Sequence, residues 1–405
     1  MKYLILIGDG MGDYPMAELD GKTPIEASRT PTMDFLARHG ELAVLRTVPE
    51  GYPPGSDVAN LSLMGYLPQE CYTGRAPLEA ASMGVELSDD GPDVAFRCNL
   101  VTLDMKSDND VTMVDYSGGH ISTKEAGELI RSLEQALGNE RIRFYPGISY
   151  RHLMVHKGKI EGLETVPPHD HTGGQVSEYW NRYLAFPHIK AIVEEACRIL
   201  SSHEINGARI KKGLNPANAI WLWGEGTAPT MSTLSEQYGV SGALISAVDL
   251  LKGIGIYAGM KIINVDGATG YLDTNYAGKA NAALEALKEK DLVLVHVEAP
   301  DEAGHQGLLK EKIQAIEDFD LKIVKPILNG LKDAGIDFKM VVAMDHFTPI
   351  SLKTHVSDPV PLIMFDSGRT DKKDGPLYHE KNAVNVPFFE NGREFFKQFL
   401  KEKVS

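Results

Sequence analysis

The sequence predicts an α/β protein, a doubly wound and mostly parallel sheet carrying an inserted, smaller α+β domain. Three observations predict it. Short unbroken apolar runs at residues 3–7 (YLILI), 292–297 (LVLVHV) and 340–344 (MVVAM) have the composition of strands buried on both faces. Strand-like and helix-like segments alternate around them, a rhythm that implies parallel strands joined by right-handed crossovers. Between about Cys71 and Asn218 that rhythm gives way to strand pieces, turns and two long helical stretches, which reads as a separate α+β insertion.

Composition sets the outer bounds. A chain of 405 residues with 43% hydrophobic and 24% charged residues can bury a large sheet under helices. Its formal charge of −15 argues against nucleic acid or an anionic membrane as partner. A small anionic substrate would therefore need a local basic pocket. Cys71, Cys98 and Cys197 are too few and too scattered for a disulfide framework or a Cys-based metal site. The first apolar run is too short for a signal-peptide core, and no apolar stretch reaches membrane-spanning length, so a cytoplasmic protein is expected. An oligomer is compatible with the sequence.

In chain order, the strand at 3–7 runs into Gly8-Asp9-Gly10-Met11-Gly12-Asp13, where glycines permit a tight turn and aspartates offer hard oxygen ligands. The spacing is not the G-x-G-x-x-G of dinucleotide sites. Thr30-Pro31 reads as N-cap and first-turn proline of a helix reaching about Arg38. In residues 48–60 (VPEGYPPGSDVAN), Ser56 falls where a helix begins after Pro53, Pro54 and Gly55. Such a serine serves as an N-cap, as a nucleophile in the positive field of the helix end, or as both.

The insertion contributes strand candidates at 95–103, 111–114, 141–144 and 152–155, and helices at 123–137 and 176–203. Its polar signals include Arg75, Arg97, His120 and Arg151; the arginines are surface ion-pair formers or guanidinium forks for phosphate or carboxylate. Residues 218–224 (NAIWLWG) read as a strand returning to the first domain. Strands at 242–246 and 261–265 then alternate with helices at 247–257 and 276–288. The run at 292–297 ends in a loop holding Asp301 and His305, a helix of roughly 25 residues follows from Leu308, and the run at 340–344 ends in Asp345-His346 with His355 beyond.

Ligands in open α/β sheets sit at the carboxyl ends of the strands. The residues gathered there divide into two sets: Asp301, His305 and His355; and Asp9, Ser56, Asp345 and His346. Mixed carboxylate and imidazole ligation suits two divalent metal ions, with Mn²⁺ foremost, Zn²⁺, Co²⁺ or Ni²⁺ as alternatives and Mg²⁺ less favoured. Two such ions would depress the proton affinity of a serine and neutralise a transferring phosphoryl group. Imidazoles must be neutral to bind metal, so metal and activity should be lost together below about pH 6.5.

Those residues, in the contexts GDGMGD, PPGSDVANLSLMGY, EAPDEAGH and MDHFTPISLKTH, closely resemble the shorter, archaeal type of cofactor-independent phosphoglycerate mutase, of the alkaline phosphatase superfamily. The resemblance runs over essentially the whole chain. It implies an alkaline-phosphatase-like metal-binding domain split over residues 1–72 and 219–405, with a phosphoglycerate-mutase-type substrate domain at 73–218. It also implies that Ser56 becomes phosphoserine while 2- and 3-phosphoglycerate interconvert, that His120 touches substrate, and, more loosely, that Lys279 contacts the phosphoryl group. Where such mutases carry an arginine, this chain reads Trp221-Leu-Trp223-Gly224-Glu225. That departure keeps two alternatives in view: a homoserine kinase-like phosphotransferase, in which Glu225 would suit an ammonium group, and a metal-dependent phosphatase.

Overall fold

A computed structural model describes residues 1–88, 93–158, 160–369 and 375–401. Among them the strands in chain order are β1 (Lys2–Gly8), β2 (Glu41–Leu45), β3 (Val94–Ser107), β4 (Asp110–Asp115), β5 (Ile142–Tyr145), β6 (Arg151–His156), β7 (Ala219–Gly226), β8 (Gly242–Ile245), β9 (Lys261–Ile262), β10 (Leu292–Val297), β11 (Phe338–Ala343), β12 (Val360–Asp366) and β13 (Phe388–Phe389). The chain divides into two units, Met1–Tyr72 with Met231–Ser405, and Thr73–Thr230.

In the first unit the strand order is β13-β2-β12-β11-β1-β10-β8-β9. All neighbouring pairs are parallel except those made by β12, which runs against both β11 and β2. The central β1 is buried along its length after Lys2, as its apolar run requires in a sheet covered on both faces. Register then fixes where chemistry can gather: Gly8 pairs with Val297 of β10, and Ile7 with Ala343 of β11. The three strands end level, so the residues that follow each of them share one edge.

Local features depart from the sequence expectations in instructive ways. The helix after Thr30-Pro31 forms over Pro31–His39, but the Thr30 side chain makes no cap hydrogen bond. Asp320 caps it instead, accepting from the amides of Thr32 (3.2 Å) and Met33 (2.6 Å). Asp320 opens a π-helical turn, Asp320–Val324, between the helices Leu309–Phe319 and Lys325–Asp333. The expected single helix is thus continuous but widened where it meets its neighbour.

The second unit is built on a five-stranded sheet in which β4, β3, β6 and β5 follow one another and β7 also pairs with β3, all antiparallel. The strand at 219–226 therefore does not return to the first sheet: Trp221 lies opposite Asn99 and Leu222 opposite Cys98 of β3. Its apolar run reads alike in either sheet, and packing decides, because Trp221 is fully buried in this unit's own core with Tyr183 and Phe96. The expected helix at 176–203 breaks into Ser177–Leu184 and Pro187–Ser202, since Phe186 before the proline is extended.

One buried ion pair locks the loops of the first sheet edge. Lys312, on the helix Leu309–Phe319, donates to Asp13 Oδ2 (2.9 Å), Gly12 O (3.0 Å) and Thr348 O (2.8 Å). Both side chains are fully buried. Asp13 is thereby committed to structure, and not to the metal-ligand role that its position in the first loop suggested. Lys312→Met should destabilise the fold by roughly 3–5 kcal/mol, because the Asp13 carboxylate is left buried without its cation. Denaturant unfolding checks this; a loss below about 1 kcal/mol contradicts it.

Candidate active site

Seven side chains converge at the level ends of β1, β10 and β11 in the first unit. Asp9 follows β1, and Asp345 with His346 follows β11. After β10 the expected loop is a helix, Ala299–Gln306, which puts Asp301 and His305 one turn apart on a single face. Ser56 is the first residue of the helix Ser56–Leu63, whose cap position is Gly55, so its hydroxyl is not spent on capping.

Ser56 Oγ lies 3.1 Å from His346 Nε2, which is 3.4 Å from Asp9 Oδ1 and 3.6 Å from Asp345 Oδ2. On the other side, Asp301 offers one oxygen to His305 Nε2 and the other to His355 Nε2, each at 3.3 Å. The His305 and His355 Nε2 atoms face each other at 2.8 Å. Two sets of donors, Asp9–Asp345–His346 and Asp301–His346–His355, have ligand atoms within 4.8 Å of one another. His346 thus stands in both sets, whereas the sequence reading gave it to one.

This donor set fits a divalent cation on its own chemistry. Burial, together with the Asp345 and Asp301 charges, pushes the Asp9 carboxyl well above the carboxylate range. Among the described residues its Oδ1 is buried without a hydrogen bond, His346 Nε2 standing 3.4 Å away. A bound cation would relieve the carboxylate repulsion and satisfy that oxygen. The cradle itself is tight. Gly10 has φ of 60°, and a Cβ there would stand 2.6 Å from Asp301 Oδ1 and 2.5 Å from Thr348 Oγ1.

Several supporting groups escaped the sequence reading. His296, fully buried within β10, places Nε2 3.0 Å from Asp9 Oδ2; burial lowers its pKa to about 4, so it is neutral. A lone histidine inside an apolar strand was the signal for it. Thr348 Oγ1 donates to Asp301 and contacts His346 Nδ1 at 3.2 Å. Asn60 Nδ2 donates to Asp345 Oδ2 (2.9 Å) and Ser56 O (2.8 Å). Lys279 is fully buried, its ammonium donating to His296 O at 3.0 Å.

In the second unit the expected arginines form a group of their own. Arg97 is paired with Glu79 (3.0 Å) and its guanidinium lies 4.0 Å over the Trp223 ring, whose Nε1 donates to Asn99 Oδ1. Burial lowers the Arg97 pKa, Glu79 opposes that, and the charges of Arg75 and Arg151 reinforce it. An aromatic path continues from Trp223 to His169 (5.4 Å), Tyr116 (6.2 Å) and Tyr150 (5.4 Å), above which sits Arg151. His120 is exposed, 6.4 Å from the Tyr116 ring, and ends a left-handed turn that Arg209 holds through Gly118 O and Gly119 O. Glu225 accepts from Thr165, so the carboxylate offered for a substrate ammonium already has a partner.

Protonation of the cluster generates a measurable expectation. Burial alone would lower the His305 pKa, but the hydrogen bond and charge of Asp301 overcome it and raise it from 6.5 to about 9. In the metal-free protein this pair therefore adds stability below pH 6.5 and loses it as pH rises through about 9. A cation must displace that proton. Calorimetric Mn²⁺ titration at pH 7, in buffers of different ionisation enthalpy, should show net proton release that fades above about pH 9. Binding without proton release contradicts this protonation scheme.

Residues 37–206 match the family model described as 2,3-bisphosphoglycerate-independent phosphoglycerate mutase. A protein of that name from Methanosarcina barkeri is 53% identical over 385 residues, covering 95% of each chain. One from Methanothermobacter thermautotrophicus is 51% identical over 370 residues, covering 91% of this chain and 89% of its own. A solved structure of a Pyrococcus horikoshii protein matches with a TM-score of 0.81 and 31% identity, covering 100% of this chain and 99% of that one. The cofactor-independent phosphoglycerate mutase of Thermoplasma acidophilum matches with a TM-score of 0.65 and 25% identity over 99% of each chain. By sequence and by fold, this chain belongs to the 2,3-bisphosphoglycerate-independent phosphoglycerate mutase family.

Proposed function

We propose that this protein is a metal-dependent isomerase that interconverts 2- and 3-phosphoglycerate without bisphosphoglycerate, through a phosphoserine at Ser56. The observation that carries the reading is a hydroxyl at a helix N-terminus, 3.1 Å from His346 Nε2 within a buried carboxylate–imidazole cluster. The comparisons favour this activity over homoserine phosphorylation and over a plain phosphatase.

In this reading Asp9, Ser56, Asp301, His305, Asp345, His346 and His355 hold two divalent ions, Mn²⁺ first among them. When bound, the ions supply Lewis-acid charge that lowers the proton affinity of the serine hydroxyl and offsets the phosphoryl oxygens. Ser56 Oγ attacks phosphorus as the bond to the glycerate oxygen breaks, and that oxygen takes up a proton. The glycerate reorients, its other hydroxyl gives up a proton as it attacks phosphorus, and the bond to Ser56 Oγ breaks. The backbone N–H groups of the first turn of Ser56–Leu63 favour the anionic forms of both serine and phosphoserine. His120, exposed in the second unit, carries the proton between the two hydroxyls. Arg75, Arg97 and Arg151 bind the substrate's anionic groups, with Trp223 as the platform for Arg97.

Phosphorus NMR of the purified, Mn²⁺-loaded protein should show 2- and 3-phosphoglycerate interconverting without added bisphosphoglycerate. Ser56→Ala should lower the rate on the order of 10³-fold or more, and chelation should abolish it until Mn²⁺ is restored. Sustained release of inorganic phosphate in place of isomerisation would replace the mutase reading with that of a phosphatase. Arg97→Leu should raise KM for 3-phosphoglycerate about tenfold or more, through loss of a charge-assisted contact. An unchanged KM removes Arg97 from the substrate site.

A further inference from the structure

The proposed nucleophile must sit at a fixed distance from the metal ligands, yet Ser56 and Asp345 belong to segments far apart in sequence. Asn60 joins them. One turn beyond Ser56 and fully buried, its Nδ2 donates to Ser56 O at 2.8 Å and to Asp345 Oδ2 at 2.9 Å. The other Asp345 oxygen is occupied by the amides of Gly10 (3.1 Å) and His346 (2.9 Å). The Asp345 carboxylate is thereby oriented from the β1 loop, from its own strand end and from the helix of the nucleophile. The amide of Asn60 has one sense only, because a flip would turn its carbonyl oxygen against two acceptors. Among the described residues its Oδ1 is buried without a hydrogen bond. A side chain whose two donor hydrogens are both engaged while its acceptor is not is shaped by what the donors hold.

We infer that Asn60 is the positioning residue that sets Ser56 against the metal centre. It acts through Asp345 and the first turn of the Ser56 helix, the two groups its amide holds. Leucine or alanine would remove both donations, and aspartate would keep the shape but face Asp345 with like charge. The inference rests on the proposed metal-dependent role of Ser56, and the test separates the two.

Asn60→Ala and Asn60→Asp are compared with the native protein in three measurements: Mn²⁺ affinity by calorimetry, thermal unfolding of the metal-free protein, and kcat with KM for 3-phosphoglycerate at saturating Mn²⁺. Loss of an oriented ligand should weaken Mn²⁺ binding about tenfold or more in both variants. At saturating Mn²⁺, kcat should fall about tenfold or more while KM stays within about threefold, since the misplaced group is the nucleophile. A folded Asn60→Ala with native Mn²⁺ affinity and native kcat overturns the inference, as does a loss confined to KM. If alanine prevents folding, Asn60→Asp decides: native Mn²⁺ affinity and kcat in that variant overturn it equally. A native protein that binds Mn²⁺ through an Asn60-dependent site yet isomerises nothing would retain the positioning role and sink the mutase reading.

Discussion

The constraint on which this molecule depends is the close packing of buried carboxylates and imidazoles at one sheet edge. Asp9, Asp301 and Asp345 are all almost fully buried, and burial together with the Asp345 charge raises the Asp9 pKa well above its ordinary value. Such an arrangement is costly in a metal-free protein and becomes favourable when a cation takes the place of protons. The architecture around it serves to hold that unfavourable set in place. Level ends of three adjacent parallel strands bring these side chains together, and the Lys312–Asp13 pair ties the first loop to the loop after β11. At Gly10 there is no space for any side chain, so the first loop can pass directly beneath Asp301 and Thr348.

Neutral and charged roles divide cleanly among the histidines. His296 and His346 are buried and held below the ordinary histidine range, as ligands or ligand supports must be. His305, partly exposed and bonded to Asp301, keeps its proton until a cation competes for the site. The second unit uses a different device, in which an arginine is buried by stacking on indole and balanced by one glutamate. That solution supplies cationic charge from β3 where the sequence of β7 offers only tryptophan.

Much of the site was legible in the sequence because the sheet is parallel. A parallel strand is an unbroken apolar run, its end is abrupt, and the polar residues just beyond it stand out: Asp9, Asp345 and His346 were found that way. Residues whose roles depend on tertiary packing were not legible. An apolar run such as 219–224 carries no label for its sheet, and only pairing with β3 assigns it. Thr30 looks like a cap until Asp320, distant in sequence, takes the amides. The hydrogen bond of Lys279 to His296 O is likewise visible only in the fold. Asn60 was hidden for the opposite reason, because an asparagine within a short helix gives no periodic signal of its two distant partners.

The central claim, that this cluster is a cation centre built around Ser56, is tested most directly by anomalous diffraction at the manganese edge from Mn²⁺-loaded crystals. The account predicts anomalous density within bonding reach of the Asp9, Asp345 and His346 donors and of the Asp301 and His355 donors, with Ser56 Oγ beside it. Manganese located elsewhere on the chain, with these side chains still hydrogen-bonded only to one another, would contradict it.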